Sequence, residues 1–168
     1  MEDQRGYSKF EIAFTDEWFT EEGVNFRYLR LTLGDFEEDM IADLTTWSPA
    51  DYERQWLDEL TQIVNSRTKG ALIVRMHDPK QPFRINTWPM WKEGDHIFFQ
   101  NKLLFMLKPA KHFDPFRVRD YMGNRQPHLK DGDPSEWVVP VASVRAFINE
   151  RLITGAGAPN RDTPTTNN

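Results

Sequence analysis

Apolar and polar side chains alternate along two stretches near the N-terminus, and this period of two predicts half-buried β-strands. The stretches are residues 9–14 and 26–33, and Gly34 ends the second. Residues 17–23 lie between them and are polar and acidic, so we expect a loop or a short helical turn there. The acidic segment 35–43 fits neither a strand nor a helix period and receives no assignment.

The clearest helix signal begins at Ser48. Its hydroxyl suits an N-cap, Pro49 suits the first helical position, and Asp51 adds an acid to the first turn. Apolar side chains then recur at three- and four-residue steps, at Tyr52, Trp56, Leu60 and Ile63. This spacing predicts a helix over residues 49–65 with one buried stripe. The polar side chains between them are expected to face water: Glu53, Arg54, Asp58 and Glu59.

The remainder of the chain predicts four strands and two more helices. The strands are residues 71–76, 83–91, 96–105 and 136–139, and a turn at residues 92–95 makes the middle two a hairpin. Pro89 has no amide hydrogen to donate to a neighbouring strand. We therefore do not expect the last residues of its strand to lie in the centre of a sheet. Asp114 with Pro115, and later Pro140, predict helices near residues 114–122 and 140–152. The inner stripe of the last helix is predicted to hold Val144, Phe147, Ile148 and Leu152.

Together these elements predict one α+β domain over residues 1–154, with a mostly antiparallel sheet or sheets and about three helices. The chain has 168 residues, of which 39% are hydrophobic, and this is enough to bury a core without disulfides or metals. Residues 155–168 carry no large apolar side chain, so we expect a disordered tail. No apolar run approaches ~18 residues and the first residues are charged, so we expect no membrane span, no secretory signal and a cytoplasmic location.

The residues that carry common enzyme chemistry are missing. There is no cysteine, which excludes a disulfide scaffold, a thiol nucleophile and cysteine-ligated zinc. The four histidines are too widely spaced for a local metal motif, and no glycine-rich phosphate loop is present. Residues 131–133 begin like a calcium loop, but the glycine and glutamate that such a loop requires do not follow. We therefore predict no catalytic residues, no metal and no cofactor, and a protein that is not an enzyme.

Charge is distributed unevenly along the chain. The net charge is -5, but residues 1–45 hold twelve acids and four bases. Such a segment repels phosphate backbones and attracts a basic partner, unless it is simply a solvated face. Residues 102–130 instead carry seven bases against two acids, with aromatic residues between them, and this pattern suits single-stranded nucleic acid. Because the whole chain is acidic, nucleic acid is not the expected partner.

Four segments occur in a familiar order. They are residues 44–56, 71–74, 98–105 and 131–133, the last followed by residues 135–137. Their order and spacing resemble the immunity proteins of bacterial contact-dependent growth inhibition (CDI), specifically the type with a Whirly-like fold, from about Met40 to Phe147. The resemblance implies a small α+β protein that binds and neutralises the toxic C-terminal domain of a cognate effector, with a nuclease as the expected toxin. The Whirly fold is also known for binding single-stranded nucleic acid, and that role is the alternative function.

Carboxylates are the predicted toxin contacts. A nuclease holds phosphate in a basic cleft, so its inhibitor gains association rate and specificity from acidic side chains. The candidates form two clusters: Asp35, Glu37, Glu38 and Asp39, and then Asp131, Asp133 and Glu136. The first four cannot all be buried, because unpaired buried acids cost too much. Phe36 and Met40 interrupt them and belong either to the contact or to the core.

Overall fold

The first sheet is a three-stranded antiparallel meander. In the computed structural model, which describes residues 8–76, 84–105 and 113–156, its strands are β1 (Phe10–Glu21), β2 (Val24–Leu33) and β3 (Phe36–Asp43), in that order. Glu22 and Gly23 join β1 to β2, and both have positive φ (49° and 78°), as a two-residue hairpin turn requires. The predicted loop over residues 17–23 is therefore wrong: the tight turn lets β1 pair with β2 as far as Glu21.

The second sheet is also antiparallel. Its strands are β4 (Lys69–Arg75), β5 (Arg84–Glu93), β6 (His96–Gln100), β7 (Lys102–Phe105) and β8 (Glu136–Pro140). The order is β4-β5-β6-β8, and β7 pairs with β5 alongside β6. The predicted hairpin at residues 92–95 is confirmed, with Gly94 at a φ of 60°.

Pro89 lies in the middle of this sheet, so the prediction that it avoids a central position is wrong. It stands opposite Ala71 of β4. Ala71 directs its own N–H and C=O to side chains of the first helix, so Pro89 is not bonded to it. On its other side β5 pairs with β7 up to Thr87 and with β6 from Met90. Pro89 therefore lies at the break between two ladders, where an amide hydrogen is not required.

The helices lie close to their predicted positions: α1 (Pro49–Asn65), a 3₁₀ helix (Pro115–Tyr121) and α2 (Val141–Ala156). The Ser48 hydroxyl accepts from the Asp51 amide (3.2 Å) and the Asp51 carboxylate accepts from the Ser48 amide (2.9 Å), which is a complete capping box. The α+β fold with antiparallel sheets and three helices is thus confirmed. Residues 155 and 156 end α2, and the remainder of the predicted tail, residues 157–168, lies outside the described residues.

The core fills the space between the two sheets and against α1. Phe10 of β1 stacks on Phe99 of β6 (centroids 5.6 Å apart), and Phe36 of β3 stacks on Trp137 of β8 (4.3 Å). The predicted stripe of α1 is buried in full: Tyr52, Trp56, Leu60 and Ile63. In α2 the prediction fails only at Leu152, which is 61% exposed. In that turn Arg151 packs against the core instead of Leu152, and its guanidinium lies over the ring of Phe147.

Side chains of α1 complete the free edge of β4. Gln55 donates to the Ala71 carbonyl and accepts from the Ile73 amide, and Trp56 donates to the Ile73 carbonyl (2.9, 3.0 and 2.7 Å). Glu59 accepts from the Ala71 amide (3.2 Å). The prediction that Glu59 faces water is therefore wrong, because a buried strand edge needs partners for its polar groups.

Gly70 makes room for that carboxylate. A Cβ atom on Gly70 would lie 2.6 Å from Glu59 Oε2, closer than two such atoms can approach. Glycine at this position therefore permits the close approach of α1 to β4. Among the described helices, none is long and apolar enough to cross a membrane.

Candidate functional site

The first carboxylate cluster begins at Asp35, in the turn before β3, and continues along β3, an edge strand whose acids point to opposite faces. Glu38 lies on the inner face with Phe36 and Met40, whereas Glu37 and Asp39 lie on the outer face. Phe36 stacks on Trp137, and Met40 Sδ accepts from Trp88 Nε1 (3.0 Å). Phe36 and Met40 are therefore core residues, and the open question about them is settled by the packing.

The electrostatic environments of these acids differ. Asp39 accepts two hydrogen bonds from Arg30 (2.6 and 3.0 Å), and these hold the pKa of Asp39 below its usual value. Burial raises the pKa of Glu38. Asp35 and Glu37 are exposed and form no ion pair with a described residue. Asp35 and Glu37 are thus the members of this cluster with free charge.

The second cluster is largely engaged within the protein. Burial by itself would raise the pKa of Glu136. Hydrogen bonds from Arg125 and Gln100 outweigh this effect and hold the pKa of Glu136 below its usual value. Asp133 accepts from the amides of Leu129 and Lys130 (3.0 Å each) and closes the loop there. Asp131 is exposed.

The structure places Glu136 of the second cluster apart from the acids of β3. Phe36 of β3 meets Trp137 of β8, but Glu136 precedes Trp137 and therefore points to the opposite face of β8. The β3 acids and Glu136 consequently lie on different sides of the second sheet.

The basic segment 102–130 is partly neutralised. Arg117 pairs with Asp120 (3.0 Å), and Arg125 lies over the ring of Phe98 (3.6 Å) while it pairs with Glu136. Lys102 and Lys130 are exposed. Lys108 and Lys111 lie outside the described residues.

The tip of the β1–β2 hairpin was not among the contacts predicted from the sequence. Trp18 is 68% exposed there, next to a cleft of about 440 Å³. Four exposed carboxylates share the tip: Asp16, Glu17, Glu21 and Glu22. A tryptophan inside a polar, acidic run was the available signal, and the loop prediction concealed it. Over the described ranges, no three acids or histidines are grouped so that they could hold a metal ion.

Comparison with known proteins identifies the family. The model of the CdiI N-terminal domain matches residues 42–147, close to the limits expected from the resemblance. The chain belongs to the CdiI family. It is 30% identical over 141 residues to the immunity protein CdiI of Enterobacter cloacae subsp. cloacae, across 83% of this chain and 97% of that relative.

A solved structure of this family has the same fold. The chain is similar to one from the CdiA-CT/CdiI toxin and immunity complex of Enterobacter cloacae, with 29% identity and a TM-score of 0.74. The match covers 84% of this chain and 97% of that chain. The CDI immunity resemblance inferred from sequence is confirmed. Nearly all of β1, β2 and β3 precedes the region that the CdiI domain model matches.

Proposed function

We propose that this CdiI-family protein binds the toxic C-terminal domain of a cognate CDI effector and neutralises it in the cytoplasm. The similarity to a chain of a solved toxin and immunity complex carries this proposal. The protein acts by occupying a surface of the toxin, without turnover. Such an inhibitor needs shape, charge and a few buried anchors, and no catalytic group.

The proposed toxin is a nuclease with a basic surface. The described part of the first sheet and its flanks, residues 8–45, holds ten acids and three bases. This charge favours a partner that carries phosphate-binding lysines and arginines. The proposed contacts are the two predicted clusters: Asp35, Glu37, Glu38 and Asp39, with Asp131, Asp133 and Glu136. Asp35 and Glu37 are exposed and form no ion pair with a described residue, so substituting them gives the most direct test of these contacts.

Protection in cells tests the function. We expect the neighbouring upstream reading frame to encode a large secreted protein, and the probe is the C-terminal domain of that protein. Expressed alone it should stop growth, and co-expression of this protein should restore growth and allow the two chains to be purified together. A non-cognate toxin domain of the same class is the control. Arrest that persists despite folded, abundant immunity protein contradicts the proposal.

Charge reversal tests the contacts on β3. Asp35→Lys with Glu37→Lys should slow association with that domain and flatten its salt dependence, because steering depends on complementary charge. Glu53→Lys with Glu150→Lys makes the same change in net charge at exposed positions of α1 and α2 and is the matched control. Equal association rates for the two variants would place the contact elsewhere.

The alternative is binding of single-stranded nucleic acid by the segment 102–130, whose Lys102 and Lys130 are exposed. Titration of a labelled oligonucleotide at several salt concentrations separates the two functions. Micromolar binding that weakens steeply with salt would favour the alternative. No binding at low salt is the result expected for an immunity protein.

A further inference from the structure

The tip of the β1–β2 hairpin presents a tryptophan to solvent. Trp18 and Phe19 are consecutive in β1 and point to opposite faces. Phe19 stacks on Phe26 (centroids 5.0 Å apart) and lies 5.7 Å from the ring of Tyr28. Trp18, on the other face, is 68% exposed. Phe19 therefore stabilises the tip from within the hairpin, while Trp18 is available to a partner.

A bulge in β1 sets the direction of Trp18. Phe14 of β1 pairs with Leu29 of β2, and Trp18 pairs with Arg27. Residues 15–17 of β1 therefore lie opposite a single residue of β2, Tyr28. The Thr15 hydroxyl donates to the Tyr28 carbonyl (3.3 Å) and accepts from the Glu17 amide (3.2 Å). Arg27 Nε donates to the Thr15 carbonyl (2.9 Å). Because a bulge redirects the side chains that follow it, these bonds hold Trp18 in its exposed position.

The surroundings of Trp18 combine a cleft with an excess of negative charge. The cleft of about 440 Å³ lies between Trp18 and Asp16 on the hairpin, Leu44 after β3 and Pro49 at the start of α1. The acids at the tip, Asp16, Glu17, Glu21 and Glu22, form no ion pair with any residue in the described ranges. Arg27, the nearest base in the sequence, pairs with Trp18 across the hairpin and lines the same cleft, while its guanidinium lies over Phe14 and bonds to the bulge. Four acids against this one base leave the tip with a net negative charge for a partner.

We propose that this hairpin tip, residues 16–22 with the adjoining cleft, receives an arginine- or lysine-bearing face of the toxin domain. The inference rests on the proposed function and adds a further contact surface to the acidic clusters proposed above. A cationic side chain is attracted to the face of an indole, and tryptophan is enriched among the residues that dominate binding energy. The surrounding carboxylates steer such a cation and pair with it. Charge complementarity therefore favours a basic protein surface as the occupant.

Binding kinetics with the toxin domain named above test this surface. Trp18→Ala should weaken binding by about 30-fold or more, mainly through faster dissociation. Leu152→Ala is the matched control, since Leu152 is 61% exposed on α2, outside the proposed contacts, and it should bind within about threefold of the wild type. A fourfold neutral variant, Asp16→Asn with Glu17→Gln, Glu21→Gln and Glu22→Gln, should associate about tenfold more slowly at low salt, with a flatter salt dependence.

Each outcome separates this inference from the proposed function. Melting temperatures within about 2 °C of the wild type confirm that the exposed substitutions leave the fold intact. If the wild type binds and Trp18→Ala binds equally well, the hairpin tip is not the docking surface, although the immunity function stands. If the wild type self-associates through Trp18, the occupant is a second copy and the inference is overturned. If the wild type does not bind the toxin domain at all, the proposed function fails first.

Discussion

Replacing Glu59 with glutamine should change how the stability of this protein depends on pH. Glu59 is 1% exposed, and its Oε2 accepts one hydrogen bond, from the Ala71 amide. Its Oε1 is buried with no hydrogen-bond partner among the described residues. Burial raises the pKa of Glu59 from its ordinary 4.5 to about 7. The carboxylate form is therefore the unfavourable one in the folded state.

The sign and size of the effect follow from this pKa. Between pH 4.5 and about 7 the folded protein keeps a proton on Glu59 that the unfolded chain has released. Stability must then fall as the pH rises through this window. One pKa unit corresponds to about 1.4 kcal/mol, so by pH 8 ionisation of Glu59 should cost about 3 kcal/mol of unfolding free energy.

Glutamine removes this cost and keeps the useful contact. Its carbonyl oxygen can accept from the Ala71 amide, and its NH₂ group stands where neutral Glu59 carries its O–H. The variant should therefore match the wild type near pH 5 and exceed its unfolding free energy by about 3 kcal/mol near pH 8. An energy of this size is a large part of the stability of an ordinary domain.

Urea unfolding between pH 5 and pH 8 measures the difference. Glu53→Gln on the exposed face of the same helix is the control, and its curve should run parallel to that of the wild type. Parallel curves for Glu59→Gln and the wild type across the whole range would refute the reasoning. The carboxylate would then be solvated or paired in a way that the packing of α1 on β4 does not show.

Three further experiments test other parts of the fold by urea unfolding. Ser48→Ala removes the cap of α1 and should cost about 1 kcal/mol, whereas Ser48→Thr should cost less because it keeps the hydroxyl. Tyr52→Phe leaves the buried Met76 amide without its acceptor (2.9 Å) and should cost about 1–3 kcal/mol; an unchanged midpoint would show that water replaces the hydroxyl. Arg125→Met and Glu136→Gln should be non-additive by about 1–3 kcal/mol in a double-mutant cycle, since the pair shares two hydrogen bonds; additive losses would contradict that coupling.

The β3 acids show where prediction of the site from sequence reaches its limit. That they could not all be buried followed from the cost of an unpaired charge, and Asp35, Glu37 and Asp39 are indeed exposed. Which of them are paired depended on Arg30, nine residues away from Asp39 along the chain, because β2 brings it opposite. The exposure of Trp18 likewise depended on a bulge that periodicity does not reveal.

The sequence by itself determined the features that depend on neighbours a few residues apart. The N-cap at Ser48, the buried stripe of α1 and the turn at residues 92–95 each arise from local geometry, and the structure confirms all three. The family could also be inferred, because its segments keep their order along the chain. Local conformational preference is sufficient for these features, since the partners lie within a turn or two of each other.

Tertiary structure decided the features whose partners are distant along the chain. Glu59 is polar, and its helix position alone gave no reason to bury it; the free edge of β4 supplies that reason. Pro89 can lie in the centre of its sheet because two different strands, β6 and β7, end beside it. Residues 36–43 form a strand because β2 pairs with them along their whole length. In each case the unmet hydrogen-bonding groups of a remote strand outweigh the local preference of the residue, since a buried polar group without a partner costs more than an unfavourable local conformation.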